Sequence, residues 1–399
     1  MYTAHKKLIS LLLSLVLVLA MLPSVFAAEP VVSVSTSKLS VNDTAINVFA
    51  SYVIDGHNYL KVGDVAYLLK DTPAKFNPTF SNGVIDLKTG TAYAGTPSAT
   101  KPTDTKAFAG TAASKFTLNG KAFNVKAYRF EVKPNFYETY LQLADFEQLG
   151  VIATFANSTV TLRTVPSEKT TLTIHAAASL NKVFPLIYDD FHAKYPNVTV
   201  DFNFLGSGAL VTQIKEGAPG DIFVSADNAN MDKLAEEIIT DTRKDLLRNS
   251  LVLVVGKDNP KGITSFEDLL DKAGKDDVIA IGEAKAVPAG ARAREVYDYL
   301  KLAEKLDALT LTLDDSVTKV LSHVSSGDAI AGFVYKTDAL SDENVKVVAT
   351  ADKAWHAAIV YPAAVLKESE NSDAAKAFID YLSTAPAIAH LEAAGFVLA

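Results

Sequence analysis

The chain has 399 residues, 49% hydrophobic and 21% charged, a globular composition with room for two or three domains. Its formal charge of −8, or −10 once Lys6 and Lys7 leave with an N-terminal leader, argues against nucleic acid or an anionic membrane surface as a general partner. The absence of cysteine excludes disulfides, thiolate metal sites, a cysteine nucleophile and a lipid anchor on an N-terminal cysteine.

Residues 1–27 have the form of a secretory signal. His5-Lys6-Lys7 is a short basic start, Leu8 to Leu22 is almost wholly apolar, and Val25-Phe26-Ala27 supplies small residues before a cut. The apolar run ends at Pro23 and falls short of the roughly 20 residues a membrane span needs. The mature protein is therefore expected to be exported, periplasmic or extracellular and associated with the cell surface.

Residues 28–165 are expected to form a small β-rich α+β domain carrying an internal repeat, 39–71 against 116–150. Each copy has a hairpin turn (Val41-Asn42-Asp43, Leu118-Asn119-Gly120) and then an alternating strand around Asn47 or Asn124. A Tyr-Leu pair follows (Tyr59-Leu60, Tyr140-Leu141), leading to a short helix with Asp64 or Asp145. Each copy closes on a strand, Val84–Leu87 or Val160–Leu162. Between the copies, residues 90–115 read as a long surface loop. The pattern resembles the stalk-like domain named after the copper amine oxidase N-terminal domain. That name implies no copper here, because His57 is the sole histidine within residues 28–165 and cysteine is absent. A spacer or interaction role, with cell-wall material as a candidate partner, is expected for this region.

Arg163 to Lys169 reads as a short polar connector. From Thr170 the pattern alternates: strand TLTIHAA, helix 180–195, strand VTVDFNFL, helix 208–216, strand DIFVSAD and helix 229–238. The apolar strand Leu251–Val255 then leads into a second α/β set, and AAIVYPAAVL (357–366) returns the chain to the first. Crossings near 250–256 and 357–363 predict two lobes, about 170–251 with 363–399 and about 252–362, joined by a hinge able to close over a ligand.

Small-residue corners follow the first two strands, Ala178-Ser179-Leu180 and Gly206-Ser207-Gly208. Each puts a serine at an expected helix start, where its hydroxyl caps backbone N–H groups. Two such corners on one parallel sheet face one crevice, which is oxyanion chemistry. Either serine alone reads more readily as an ordinary N-cap, since serine is a leading cap residue. In the second set, Pro288 precedes a predicted helix 290–302. Ser316-Val317 opens a helix 317–326 behind Asp314 and Asp315. Four helix starts, each worth roughly half a positive charge, would offset a dianion without a buried Lys or Arg.

The segments AASL, GSGAL with GAPGDIFVSAD, VPAGARARE and GFVYKTDA, in this order and spacing, are similar to the molybdate-binding protein of bacterial molybdate ABC transporters. The resemblance spans nearly all of 170–399 and implies a two-lobed periplasmic binding protein fold of type II with hinge strands. It implies that molybdate or tungstate is held by hydrogen bonds alone and delivered to a permease and its ATPase. By motif, it assigns hydroxyl and backbone N–H contacts to Ser179 and Ser207, backbone N–H contacts to Ala289 and Val317, and a phenol contact to Tyr335. GSG departs from the serine-rich corner of some members. No cofactor, cation site or catalytic residue is expected.

A donor-only site suits molybdate, tungstate and sulfate, whose oxygens all accept near neutral pH. Hydrogen phosphate carries a proton that would face donors, at a cost on the order of 1–3 kcal/mol. A carboxylate reaching the ligand from Asp227, Asp314 or Asp315 would favour phosphate instead. Sulfate or phosphate binding is the alternative within the same class. An enzyme would pair Ser179 or Ser207 with His175 or His192, but GSG lacks the nucleophile-elbow pattern. A purely structural surface protein draws support from the repeats alone. The seven scattered histidines form no metal-ligand spacing.

Overall fold

The computed structural model describes residues 29–112, 114–284 and 287–399, and the leader expected over 1–27 lies outside them. Among the described residues no helix is long and apolar enough to cross a membrane.

The two N-terminal copies are interwoven rather than side by side. A central sheet runs Val32–Val34, Ser51–Ile54 and His57–Lys61 from the first copy, then Phe136–Gln142, Tyr128–Lys133 and Phe108–Thr111 from the second. The repeated Tyr-Leu pairs meet at its centre, with Leu60 opposite Leu141. Each flanking four-stranded sheet takes one hairpin from each copy. Thr159–Thr164 runs parallel to Lys38–Val41, and Val84–Thr89 runs parallel to Lys115–Leu118. The expected turns are present, with Asn42 and Asp43 at φ 46° and 67° and Asn119 and Gly120 at φ 52° and 77°. Both central positions are thus left-handed, as the tightest hairpins require.

Three local expectations for this region are corrected. Asn47 and Asn124 lie in irregular chain, because the strands end at Ile46 and Ala122. The stretch 90–115 contains the strand Phe108–Thr111, and Ser98 docks on Asp64 through its backbone N–H at 2.8 Å. The polar connector is also revised, since Arg163 and Thr164 belong to the strand Thr159–Thr164.

Arg163 is only 5% exposed and Asp380, on the helix Ser372–Tyr381, only 2%. Arg163 Nε donates to Asp380 at 2.7 Å and Nη1 to Asp43 at 2.9 Å. Lys244 also meets Asp380, and Lys376 pairs with Asp43 at 3.0 Å. Ile152 and Val165 share a buried cluster with Leu172, Phe184 and Phe378. Continuous apolar packing and a buried ion network therefore weld the N-terminal unit to the α/β unit that follows.

That first α/β unit is built on a sheet ordered Val198–Leu205, Thr170–Ala177, Ile222–Val224, Val360–Val365, Lys244–Arg248 and Val397–Leu398. The first three strands are parallel, so the corners after Ala177 and Leu205 share one edge. The second unit orders Thr310–Asp314, Val278–Gly282, Ala331–Tyr335, Leu251–Gly256 and Val345–Thr350, with its first three strands parallel. Val252 to Val255 are all buried, because this strand lies inside its sheet.

The chain crosses between sheets at 249–250 and 351–359. Asn249 N–H donates to Ile359 O at 3.1 Å, tying the crossings together. Leu251 lies in the second sheet and Val360 already in the first, so the expected lobe limits shift by one to three residues. Helix bounds also move. The expected helix 180–195 is a 3-10 turn Ala178–Leu180 and then Phe184–Lys194. The helix expected at 208–216 occupies Ser207–Lys215. The expected helix 229–238 is regular only over Asn228–Asp232, after which i→i+3 bonds such as Leu234 N to Met231 O tighten the chain. The expected helix 290–302 spans Pro288–Tyr299, whereas Val317–Ser326 lies where it was read.

Candidate functional site

Parallel strands deliver every expected contact residue to a sheet edge. Ala177 and Leu205 are register partners, so the Ser179 and Ser207 corners are neighbours. In the second sheet Gly282 pairs with Asp314 and Ala280 with Gly332, so the helices Pro288–Tyr299 and Val317–Ser326 and the side chain of Tyr335 arise from one edge. Tyr335 in turn pairs with Leu251, two residues beyond the first crossing residue. The second edge therefore abuts the hinge.

The serines do not cap their helices. Ser207 is the first residue of Ser207–Lys215, Gly206 is the N-cap, and that cap has no side-chain hydrogen bond. Ser207 Oγ instead accepts the N–H of Ala226 at 2.9 Å, from just past the strand Ile222–Val224. Its own proton is thereby directed elsewhere, and the N–H groups of Ser207 and Gly208 have no partner within the helix. Ser179 lies in the 3-10 turn, with Oγ 3.1 Å from the hydroxyl of Tyr361. In the second unit Ser316 does cap, accepting from Lys319 N at 3.4 Å. Val317 and Ala289 are the first and second residues of their helices, so their N–H groups are likewise free of intrahelical partners.

The close seating of the Ala289 helix depends on glycine. A Cβ on Gly290 would stand 1.9 Å from Gly282 O, so only glycine lets the helix start press on the strand end. Three α-helix starts, at Ser207, Pro288 and Val317, supply roughly half a positive charge each. The first corner supplies only a 3-10 turn, which corrects the expectation of four helix starts.

Burial pushes the Tyr335 hydroxyl well above the usual phenol range, and Tyr361, Asp338 and Asp227 add to the shift while Arg292 opposes it. Tyr335 is thus a neutral donor whose hydroxyl makes no hydrogen bond to protein among the described residues. Arg292 is a cation the sequence reading did not place near the cleft, but Glu295 holds it at 3.0 Å. Of the nearby carboxylates, Asp227 and Asp315 are engaged and Asp314 only in part. Asp227 accepts from Asn230 N at 2.6 Å and Asn230 Nδ2 at 2.7 Å. Asp315 pairs with Lys319 at 2.6 Å, and Asp314 Oδ1 accepts from Thr312 at 3.3 Å, while the buried Oδ2 of Asp314 has no partner among the described residues. Burial pushes the Asp338 carboxyl up to about 6, against a backbone hydrogen bond from Tyr335.

Tyr361, Asn249 and Asp338 were missed by the sequence reading. Tyr361 sits inside an apolar run and gave no signal beyond its hydroxyl.

The serine–histidine pairing of an enzyme is not assembled among the described residues. His175 Nδ1 meets Asn203 Nδ2 at 2.9 Å and its Nε2 meets Pro219 O at 3.0 Å. The carbonyl makes Nε2 the donor and the amide makes Nδ1 the acceptor, a neutral imidazole whose pKa burial lowers. His192 Nδ1 lies 2.9 Å from Val198 O. Among the described residues no group of three or more His, Asp or Glu is placed to hold a metal ion.

Comparison with known proteins places the same region. Residues 172–397 match the family model for bacterial extracellular solute-binding proteins. A putative ABC transporter substrate-binding lipoprotein of Bacillus subtilis is 37% identical over 232 residues, covering 57% of this chain and 87% of that protein. The molybdate-binding protein ModA of Escherichia coli is 36% identical over 235 residues, covering 57% of this chain and 89% of its own. Among solved structures, the substrate-binding domain of a putative molybdenum ABC transporter from Clostridium difficile is 39% identical, with a TM-score of 0.53, over 57% of this chain and 98% of that one.

Proposed function

The chain belongs to the bacterial extracellular solute-binding protein family, and from that premise we propose that it captures molybdate or tungstate between its two α/β units and delivers it to an ABC permease driven by an ATPase. The observation that carries this reading is the polarity of the cleft edges. Ser207 Oγ already accepts a backbone N–H, Tyr335 is a neutral phenol with an unused donor, and three helix starts add unpaired N–H groups. Such a set matches an anion whose oxygens all accept. Asp227 and Asp315 are engaged, so among these three carboxylates only the buried, unpartnered Oδ2 of Asp314 is left as an acceptor for the proton of hydrogen phosphate. Ser179, Ser207, Ala289, Val317 and Tyr335 are the proposed contacts. No covalent step or cofactor is required, and the family is one of solute binders rather than enzymes.

Closure follows from the ligand's own geometry. A tetrahedral anion touching both edges has all its oxygens satisfied only in the closed form, so binding shifts the hinge equilibrium. For the exported mature chain, the N-terminal unit would be the part that meets the cell surface. It presents an open groove of about 730 Å³ bordered by Phe80, Phe136, Tyr137 and Arg129, a chemistry suited to cell-wall material. Calorimetry of the mature chain against molybdate, tungstate, sulfate and phosphate tests the proposal. Tight binding of molybdate or tungstate with weak phosphate binding is expected, and a preference for phosphate would refute it.

A further inference from the structure

We propose that Asn249 and Tyr361 are positioning residues that fix the direction of a hydrogen-bond chain ending at Ser179, and so set discrimination against protonated oxyanions. The inference rests on the oxyanion reading above and extends it to residues that need not touch the ligand.

The direction follows from the donor inventory. Asn249 Oδ1 accepts the N–H of Ser250 at 2.9 Å, which orients the amide. Its Nδ2 therefore faces Thr337 Oγ1 at 3.0 Å and the Tyr361 hydroxyl at 3.4 Å. An amide nitrogen only donates, so the Tyr361 oxygen accepts. Tyr361 is 1% exposed, and among the described residues its remaining partner is Ser179 Oγ at 3.1 Å. A buried hydroxyl proton left without an acceptor is costly, so it goes to Ser179. Ser179 then has an oxygen occupied by a donor and a proton free to leave the chain. It becomes a donor toward the cleft, just as Ser207 does through Ala226.

The chain also spans the hinge. Asn249 sits at the first crossing and Tyr361 just past the second, while Thr337 stands two residues beyond Tyr335 in the second unit. Ser179 belongs to the first unit. The group that orients the serine is thus anchored where the two units join. Because the amide is fixed by its own backbone neighbour, hinge motion leaves the polarity of the chain intact.

Asn249→Asp is nearly isosteric and replaces the lone donor with an acceptor. Tyr361 would then donate to Asp, Ser179 would donate to Tyr361, and a serine lone pair would face the cleft. Tyr361→Phe removes the constraint altogether and lets Ser179 rotate. The experiment titrates wild type and both variants, each first shown folded by thermal unfolding, with molybdate and inorganic phosphate at mildly alkaline pH. There phosphate is mainly the hydrogen-phosphate dianion, equal in charge to molybdate. The preference for molybdate over phosphate should fall about tenfold or more in Asn249→Asp, and by a smaller factor in Tyr361→Phe. A merely structural role, or the added negative charge alone, would weaken both ligands alike. A ratio unchanged within about twofold in whichever variant folds would overturn the proposal. The wild-type titration separates this from the broader reading. If sulfate binds best, the same ratio taken with sulfate tests the chain, whereas a wild-type preference for phosphate overturns both.

Discussion

Replacing Ser207 with alanine tests both the observed and the proposed role of its hydroxyl. Ser207 is 7% exposed, and its oxygen accepts the Ala226 N–H at 2.9 Å while its proton is directed away from that bond. Deleting the hydroxyl removes a hydrogen bond to a charged acceptor in the liganded state, worth about 1.5–3 kcal/mol, or roughly a 10- to 150-fold loss of molybdate affinity. It also strands a partly buried backbone N–H, which costs about 1–3 kcal/mol of folding stability with or without ligand. Two measurements on one variant therefore move together, the dissociation constant by calorimetry and the unfolding free energy of the ligand-free protein by denaturant titration. Ser207→Gly and Ser207→Cys set the scale, since glycine removes the hydroxyl likewise and a thiol is a poor substitute for it. If Ser207→Ala loses stability but binds molybdate as the wild type does, the hydroxyl is only a structural acceptor and the corner does not hold the anion.

Tyr335→Phe should cost about 1–3 kcal/mol of molybdate binding, read by calorimetry, with little change in stability because the hydroxyl makes no bond to protein among the described residues. Arg163→Met should destabilise the chain by about 3–5 kcal/mol by leaving Asp380 short of a partner at 2% exposure, and denaturant unfolding would show it; a loss below 1 kcal/mol would mean the network is not closed in solution. The Asp43 carboxyl is held at about 2, chiefly by its bond to Arg163. A depressed carboxylate contributes above its unfolded value of 3.8 and is lost as pH falls toward about 2, so acid unfolding should be less steep in Asp43→Asn over that window. Asp145 is raised by burial to about 6, and its Oδ2 has no partner among the described residues. Its cost therefore appears as pH rises through 3.8 to about 6, and Asp145→Asn should raise the melting temperature at pH above 7 but not near pH 4.

Most of the cleft's placement was legible in the chain. The order of strands and corners from Thr170 onward, the proline that starts the Ala289 helix and the helix Val317–Ser326 are all local patterns, and local patterns set which sheet edge each residue reaches. What escaped was tertiary. Ser207 looks like a cap from its neighbours, but its partner Ala226 lies just past the strand Ile222–Val224, and no spacing announces that bond. Tyr361 reads as one apolar position among several in AAIVYPAAVL. In the N-terminal unit the hairpin turns were visible at Asn42-Asp43 and Asn119-Gly120, yet the exchange of hairpins between copies was not. Period-two alternation is the same whichever copy supplies the neighbouring strand. Arg163 was misread for a related reason, since a guanidinium in a polar stretch looks solvated until the carboxylates that bury it are known.

The weld at Arg163 bears on how closure works. The ion pairs from the N-terminal unit reach Lys194, Lys376 and Asp380, all in the first α/β unit, and among the described residues none reaches the second. The N-terminal unit is therefore fixed to the first α/β unit, and in the proposed closure the second unit would be the part that swings about the crossings at 249–250 and 351–359. Any attachment made through the N-terminal unit would fix the first corner, with Ser179 and Ser207, relative to the surface it binds. Ala289, Val317 and Tyr335 would then be the contacts brought to the anion. Cutting the weld with Arg163→Met should leave the intrinsic affinity of the cleft largely intact while loosening that orientation. The junction residues would thus bear on stability alone, whereas Ser207 at the sheet edge would bear on both stability and affinity.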